Sequence, residues 1–405
     1  MHGTETTLPT TRALPFDRRY RLALKLAGLI RAGHLMLTLP DGSMHRFGGQ
    51  HPGPEAQVTL HSPRAIRRIA FGGSLGWAEA YLEGEWSSPD IRAVMALATA
   101  NEAEWDALLR GSVLVRTLSR VYHAFRPNTR RGAKKNIAAH YDLGNAFYAA
   151  WLDRTMTYSS AEFAADGGSL EEAQARKVRN LLTAIDLRPG QSLLEIGCGW
   201  GYLAEIAARE FGARVVALTL SREQHAHATA RIAEAGLADR VEIRMQDYRD
   251  VPERFDRIAS VEMFEAVGEA YWPTFFASVR ERLAPGGRAG LQIITIADRY
   301  FPIYRASADF IQRYVFPGGM LPSPTRLREE VARAGLGWQG ETWFGASYAE
   351  TLRRWNERFQ EAWPQVSPLG YDDRFKRLWE YYLVYCETGF RAGWTDVGRI
   401  VLSRP

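Results

Sequence analysis

The spacing of apolar positions changes character along the chain. In "DRRYRLALKLAGLIRAG", Tyr20, Leu22, Leu24, Leu26, Leu29 and Ile30 alternate with Arg18, Arg19, Arg21, Lys25 and Arg31. Wound as a helix, this stretch has an apolar stripe that can pack on the protein's own core or rest on an interface; the core is the favoured reading. "HLMLTLP" and "AQVTLHS" alternate as strands do, whereas "SLGWAEAYLEGEW" and "DIRAVMALATANEAEWDALLRG" carry helical spacing. Residues 17–125 therefore predict a small mixed α+β unit, and residues 1–15 are expected to be disordered.

From about residue 136 the pattern becomes regular. "SLEEAQARKVRNLLTAIDL" predicts a helix that stops before Pro189 and Gly190. Strand "SLLEIGC", helix "GYLAEIAAREFG", strand "RVVALTL" and helix "REQHAHATARIAEAG" follow. Then come "VEIRMQDY", "FDRIASVEM", helix "YWPTFFASVRERLAPGG" and strand "RAGLQIITI". Such alternation predicts an α/β fold with a mostly parallel sheet between helices, and a ligand beyond the carboxyl ends of its strands. The 405 residues exceed what one core usually serves, which agrees with two domains. The expected division is an accessory domain over 1–125, a basic linker over 126–135, and a catalytic domain over 136–405.

Composition narrows the classes. No run approaches the eighteen or so apolar residues of a membrane span, and the first residues lack the apolar core of a signal peptide. Two cysteines, Cys198 and Cys386, support neither a disulfide framework nor a cysteine-based metal site, so no metal is expected. A cytoplasmic location is the expectation. The net charge of +5 favours an anionic partner, either nucleic acid or lipid headgroups. Part of it clusters in "FRPNTRRGAKKN", at Arg126, Arg130, Arg131, Lys134 and Lys135.

Chemistry concentrates after the first strand of the regular region. In "LLEIGCGWG", Gly197, Gly199 and Gly201 let the backbone turn tightly and approach a ligand. The third glycine comes one residue too early for a dinucleotide fingerprint, which favours a nucleoside without phosphates. Glu195, this glycine loop and the later "MQDY" resemble the class I methyltransferases, Rossmann-like proteins that bind S-adenosylmethionine (SAM). Gln246 and Asp247 would then lie beside the adenine. The second strand ends "LTLSREQ", without the usual acid; Thr219 and Gln224 offer neutral hydrogen bonds instead.

Seven ordered motifs sharpen the resemblance: "AAHYDLGNAFYAAWLDRTMTYSSAEF", "LLEIGCGWG", "LTLSREQ", "MQDYRD", "MFEAVG", "FPGGMLPS" and "YYLVYCETGFRAGWTDV". Together they resemble the cyclopropane-fatty-acid synthases and their mycolic-acid relatives, and the N-terminal region resembles that of the phospholipid-acting branch. The resemblance implies that Tyr158, Ser159, Glu195, Gly197, Gly199, Gly201, Thr219, Leu220, Gln224, Gln246 and Asp247 form the SAM site. It also implies a bicarbonate serving as base, held in the family by a cysteine, a glutamate, a histidine and a tyrosine. Glu265 and Tyr348 stand at two of those positions; Ser160 and Gln292 replace the cysteine and the histidine. Cys386 matches a cysteine sometimes given a catalytic role, although a packed buried thiol is the favoured reading. His140 would order the cofactor loop or serve structurally.

The implied enzyme is a SAM-dependent C-methyltransferase acting on unsaturated acyl chains of membrane phospholipids, peripheral on the inner face of the membrane. A cyclopropane chain is the leading product, and a methyl-branched unsaturated chain is the near alternative. A small-molecule or nucleic-acid methyltransferase and a catalytically inert lipid-binding protein remain rivals. Homodimer formation is left open.

Overall fold

The computed structural model describes residues 20–109, 143–306 and 308–405. Residues 1–15, the basic segment 126–135 and His140 lie outside the described residues, as do Arg18 and Arg19. The chain divides into two compact units, Met1–Ser112 and Val113–Pro405.

The first unit opens with α1 (Arg21–Ala27) and a four-stranded sheet, with strands β1 (Ala32–Thr38), β2 (Met44–Gly48), β3 (His51–Leu60) and β4 (Trp86–Ser87) in the order β2-β1-β3-β4. The β1–β3 pair is parallel and the others are antiparallel. Helices α2 (Arg64–Leu82), α3 (Ile91–Ala100) and α4 (Glu102–Leu109) complete it. The first amphipathic segment buries Tyr20, Ala27 and Ile30 in its own unit, but its helix ends at Ala27 and the chain is already extended by Ala32. The long helix expected over "DIRAVMALATANEAEWDALLRG" breaks at Asn101. Its buried amide accepts from the N–H groups of Arg31 and Ala32 at 2.7 and 3.0 Å and donates to the Ala32 and Leu97 carbonyls. One side chain thus satisfies the backbone where β1 begins and where α3 ends.

The second unit contains a seven-stranded sheet. Its strands are β5 (Ser192–Ile196), β6 (Arg214–Thr219), β7 (Val241–Met245), β8 (Phe255–Val261), β9 (Leu283–Ile296), β10 (Gly337–Trp343) and β11 (Thr395–Ser403), in the order β10-β11-β9-β8-β5-β6-β7. The five strands from β9 to β7 pair in parallel; β11 runs antiparallel to both β9 and β10. Its helices are α5 (Asn145–Trp151), α6 (Leu170–Ala184), α7 (Tyr202–Phe211), α8 (Arg222–Glu234), α9 (Trp272–Arg282), α10 (Phe301–Ala306), α11 (Phe310–Tyr314), α12 (Pro324–Arg333), α13 (Gly345–Val366) and α14 (Asp373–Arg391).

Alternation along β5 sends Leu193 into a cluster with Leu181, Leu203 and Ile206, and Leu194 into another with Phe264, Trp272 and Phe276. Both faces of the sheet are therefore covered by helices, as the sequence pattern requires. The chain leaves β5 toward β6 on one side and returns as β8 on the other. That reversal opens a crevice beyond the carboxyl end of β5.

Candidate active site

The glycine loop lies at that crevice. Gly197, Gly199 and Gly201 all have positive φ, which disfavours any residue with a side chain. Their surroundings differ. A Cβ on Gly197 would come within 2.9 Å of Met263 Cγ, whereas one on Gly199 would meet nothing within 4 Å. A Cβ on Gly201 would press to 3.0 Å against Ala228 Cβ, so this glycine lets α7 pack on α8.

Tyr158, Ser159, Glu195, Gly197, Gly199, Thr219, Leu220, Gln224, Gln246 and Asp247 line one cavity. Gly201 is the exception among the expected cofactor residues; it shapes the loop from behind, by helix packing. Thr219 Oγ1 donates to Gln224 Oε1 at 3.0 Å, a neutral pair where an acid was absent from the sequence. Asp247 is held by Arg249 through Nε at 2.8 Å and Nη2 at 2.5 Å. Glu195 Oε2 is buried and has no protein partner, and burial pushes its carboxyl up to about 8. A carboxylate oxygen without a partner, an open face over Gly199 and a neutral polar pair suit a polar nucleoside with an amino-acid tail. The residues present fit SAM.

Beside this cavity stands an aromatic wall. Tyr158 packs on Trp355, Trp151 and Tyr148 with ring centroids 5.2, 5.7 and 5.3 Å away, and its hydroxyl meets that of Tyr382 at 2.8 Å. Tyr348 continues the wall toward Phe390, 4.5 Å away.

The base shell departs from expectation at one residue. Ser160, Gln292 and Tyr348 do converge, but on Glu262 and not on Glu265. Glu262 Oε1 accepts from the Ser160 N–H at 2.8 Å and from Gln292 Nε2 at 2.7 Å; Oε2 accepts from the Tyr348 hydroxyl at 2.6 Å. Glu262 has φ +50, in the left-handed region that costs a side-chain-bearing residue about 1–2 kcal/mol. Its N–H donates to the Gln292 carbonyl at 2.8 Å, so the strained residue is tied to β9 at backbone and side chain.

Glu265, three residues on, is turned away by a short 3₁₀ turn (Phe264–Ala266). Its Oε1 accepts from the Ile294 N–H at 2.6 Å, while Oε2 is buried without a partner. Burial, with Glu262 nearby, pushes this carboxyl up to about 8. The Ser160 hydroxyl also faces elsewhere, donating to the Ala161 carbonyl at 2.9 Å, so Ser160 contributes its backbone. Cys386 is no thiolate: burial holds its thiol well above the ordinary range. It is a half-buried residue of α14, within electrostatic reach of Tyr348 and Tyr382.

Two participants escaped the sequence reading. Besides Glu262 there is Lys177, fully buried on α6, which donates to Ser159 Oγ at 2.6 Å. Burial lowers its amine to about 8, against the pull of Glu262, Asp153, Glu162 and Glu195. Lys177 stands four residues after Ala173 and four before Leu181, on the apolar stripe of its helix. A lysine on that stripe was the available signal. For Glu262 the signal was the pair of glutamates in "VEMFEAV" at the end of β8.

The family model for mycolic acid cyclopropane synthetase matches residues 128–400. The chain belongs to this family. It is 39% identical over 386 residues to a tuberculostearic acid methyltransferase of Mycobacterium tuberculosis, covering 92% of this chain and 89% of the relative. It is 34% identical to the cyclopropane-fatty-acyl-phospholipid synthase of Escherichia coli over 403 residues, 97% of this chain and 95% of that one. Among solved structures it resembles a cyclopropane synthase from Mycobacterium tuberculosis at a TM-score of 0.63 and 32% identity, covering 67% of this chain and 98% of that chain. A mycolic acid cyclopropane synthase complexed with SAH (S-adenosylhomocysteine) and CTAB matches equally well, at 0.63 and 31%, with 67% and 98% covered. The larger unit has the class I SAM-methyltransferase fold.

Proposed function

We propose that this enzyme methylates the double bond of unsaturated acyl chains in membrane phospholipids, with a cyclopropane chain as product. The observation that carries the reading is the cavity beyond β5, where ten expected cofactor residues meet the aromatic wall and a carboxylate shell. SAM supplies an activated methyl group when bound there. The chain's residues do the rest. Glu195, Thr219, Gln224 and the glycine loop bind and orient, and Tyr158, Trp355 and Tyr348 exclude water. Attack by an alkene leaves a carbocation on the acyl chain. Each aromatic face turned to it can contribute about 0.5–2 kcal/mol. The cation must then lose a proton, and a carboxylate stands beside the cavity to take it.

A methyl-branched unsaturated product is the second reading. It draws on the most identical of the relatives named above being called a methyltransferase, and on Gln292 standing where a histidine was expected. Host lipids from cells fed methionine with a deuterated methyl group separate the two. Ring closure leaves two methyl deuterons, and proton loss from the chain leaves three. Lipids that carry no label above background would overturn the function.

Among the described residues no helix is long and apolar enough to cross a membrane. Peripheral attachment through anionic headgroups is part of the proposal, with the basic linker over 126–135 as its contact. Neutral replacement of Arg130, Arg131, Lys134 and Lys135 should weaken sedimentation with anionic vesicles, and raised salt should do the same to the native protein, because such charges are screened over about 8 Å.

A further inference from the structure

We infer that the Glu262 carboxylate is itself the base of the reaction, so that this enzyme works without a bound bicarbonate. The inference rests on the proposed function and deepens it.

Three donors at the positions expected to hold an external anion already have one. The Ser160 N–H, Gln292 Nε2 and Tyr348 hydroxyl approach the two Glu262 oxygens at 2.8, 2.7 and 2.6 Å. Glu262 also lines the cavity, together with Tyr158 and Ser159. A bicarbonate in that shell would need the same donors and would place a second negative charge against the first. The replacements at Ser160 and Gln292 fit this arrangement. Neither side chain has to carry a proton: one residue gives its backbone N–H and the other a neutral amide. Lys177 supplies the buried positive charge that an ionised Glu262 needs, and burial still leaves the Glu262 carboxyl above its ordinary range, which strengthens it as a base.

The strained backbone supports the same conclusion. Glu262 and Met156, two of the three non-glycine residues with positive φ among those described, both line this cavity. Backbone strain of this kind persists where the surroundings fix the residue, as the paired bonds to Gln292 do here.

In the step itself, one alkene carbon takes the methyl group. The sulfur–carbon bond breaks, and its electron pair stays on the departing thioether. The neighbouring carbon becomes cationic. A Glu262 oxygen then takes a proton from the new methyl group, and the released C–H pair closes the three-membered ring.

The test compares the native enzyme with Glu262→Gly, a substitution suited to φ +50 and therefore expected to fold. In bicarbonate-free buffer under argon, native turnover should stay within about twofold of that in air, and added bicarbonate should not raise the native melting temperature. Glu262→Gly should retain SAM affinity by calorimetry and lose turnover by about 10²–10⁴-fold. Millimolar bicarbonate or formate should raise the melting temperature of the variant and restore at least tenfold of its rate. Native activity that collapses without bicarbonate and returns with it would overturn the inference, as would a Glu262→Gly enzyme of native rate. Absence of any acyl methylation by the native protein would sink the proposed function instead. The melting shifts would still report which protein binds the anion.

Discussion

The two sides of the cavity are assembled differently. The cofactor side rests on short contiguous stretches: Glu195 to Gly199 at the end of β5, Thr219 to Gln224 after β6, and Gln246 with Asp247 after β7. The base side draws Ser160 from a loop, Glu262 from the end of β8, Gln292 from β9 and Tyr348 from α13. Contiguous stretches work mainly through backbone shape, which glycines and strand ends announce. A convergent shell works through side-chain direction, which φ at one residue can redirect by three positions in sequence.

The largest effect should come from the cofactor side. Gly199→Val places a branched side chain on the open face of the loop at φ +52, and SAM binding should fall below detection in calorimetry while the fold persists. Unchanged affinity in a folded variant would detach the loop from the cofactor. Next in size is Tyr348→Phe on the base side. It removes one charge-assisted hydrogen bond to Glu262, worth about 1.5–3 kcal/mol, so turnover should fall about 10–100-fold with SAM affinity intact. A variant that loses affinity and keeps its rate would reverse the division between the two sides.

Glu265 separates neighbours in sequence from partners in function. Its folded carboxyl sits near 8, above the unfolded value, so the folded state holds a proton that the unfolded state gives up between about pH 4.5 and 8. Its contribution to stability is therefore complete at low pH and fades as pH rises through 8. Denaturation of Glu265→Gln should show a shallower fall in stability over that window, by at most about 1.4 kcal/mol per pH unit. Parallel curves would mean that Glu265 is already ionised in the native protein. The smallest effect belongs to Cys386→Ala: a rate within about threefold of native and a stability loss near 1 kcal/mol from the lost sulfur packing. A rate loss of a hundredfold would return this thiol to the chemistry.

The sequence reading and the structure part at identifiable places. The order of strands and helices from "SLLEIGC" to "RAGLQIITI" was legible because apolar runs and glycine turns mark each crossing of the sheet. In the first segment the apolar periodicity continues through Leu29 and Ile30, although the helix stops at Ala27. The break at Asn101 was hidden because its amide serves Arg31 and Ala32, residues about seventy positions away. The place of Glu262 in the shell is hidden for a similar reason. The positive φ that turns Glu262 toward Tyr348 depends on its tie to β9, and nothing in "VEMFEAV" reveals that tie.

Lys177, Glu195 and Glu265 all have burial-shifted values near 8, two carboxylic acids and one amine. Lys177 and Glu195 line the cavity and Glu265 lies behind it next to Glu262, so together they form a proton buffer at a binding site. Its net charge follows pH in the range where most groups of an ordinary surface are already fixed. By linkage, a cationic ligand entering the cavity drives protons out, and departure of a neutral product draws them back. The heat of ligand binding should therefore depend on the ionisation enthalpy of the buffer, and the affinity for a cation should climb from about pH 7 to 9.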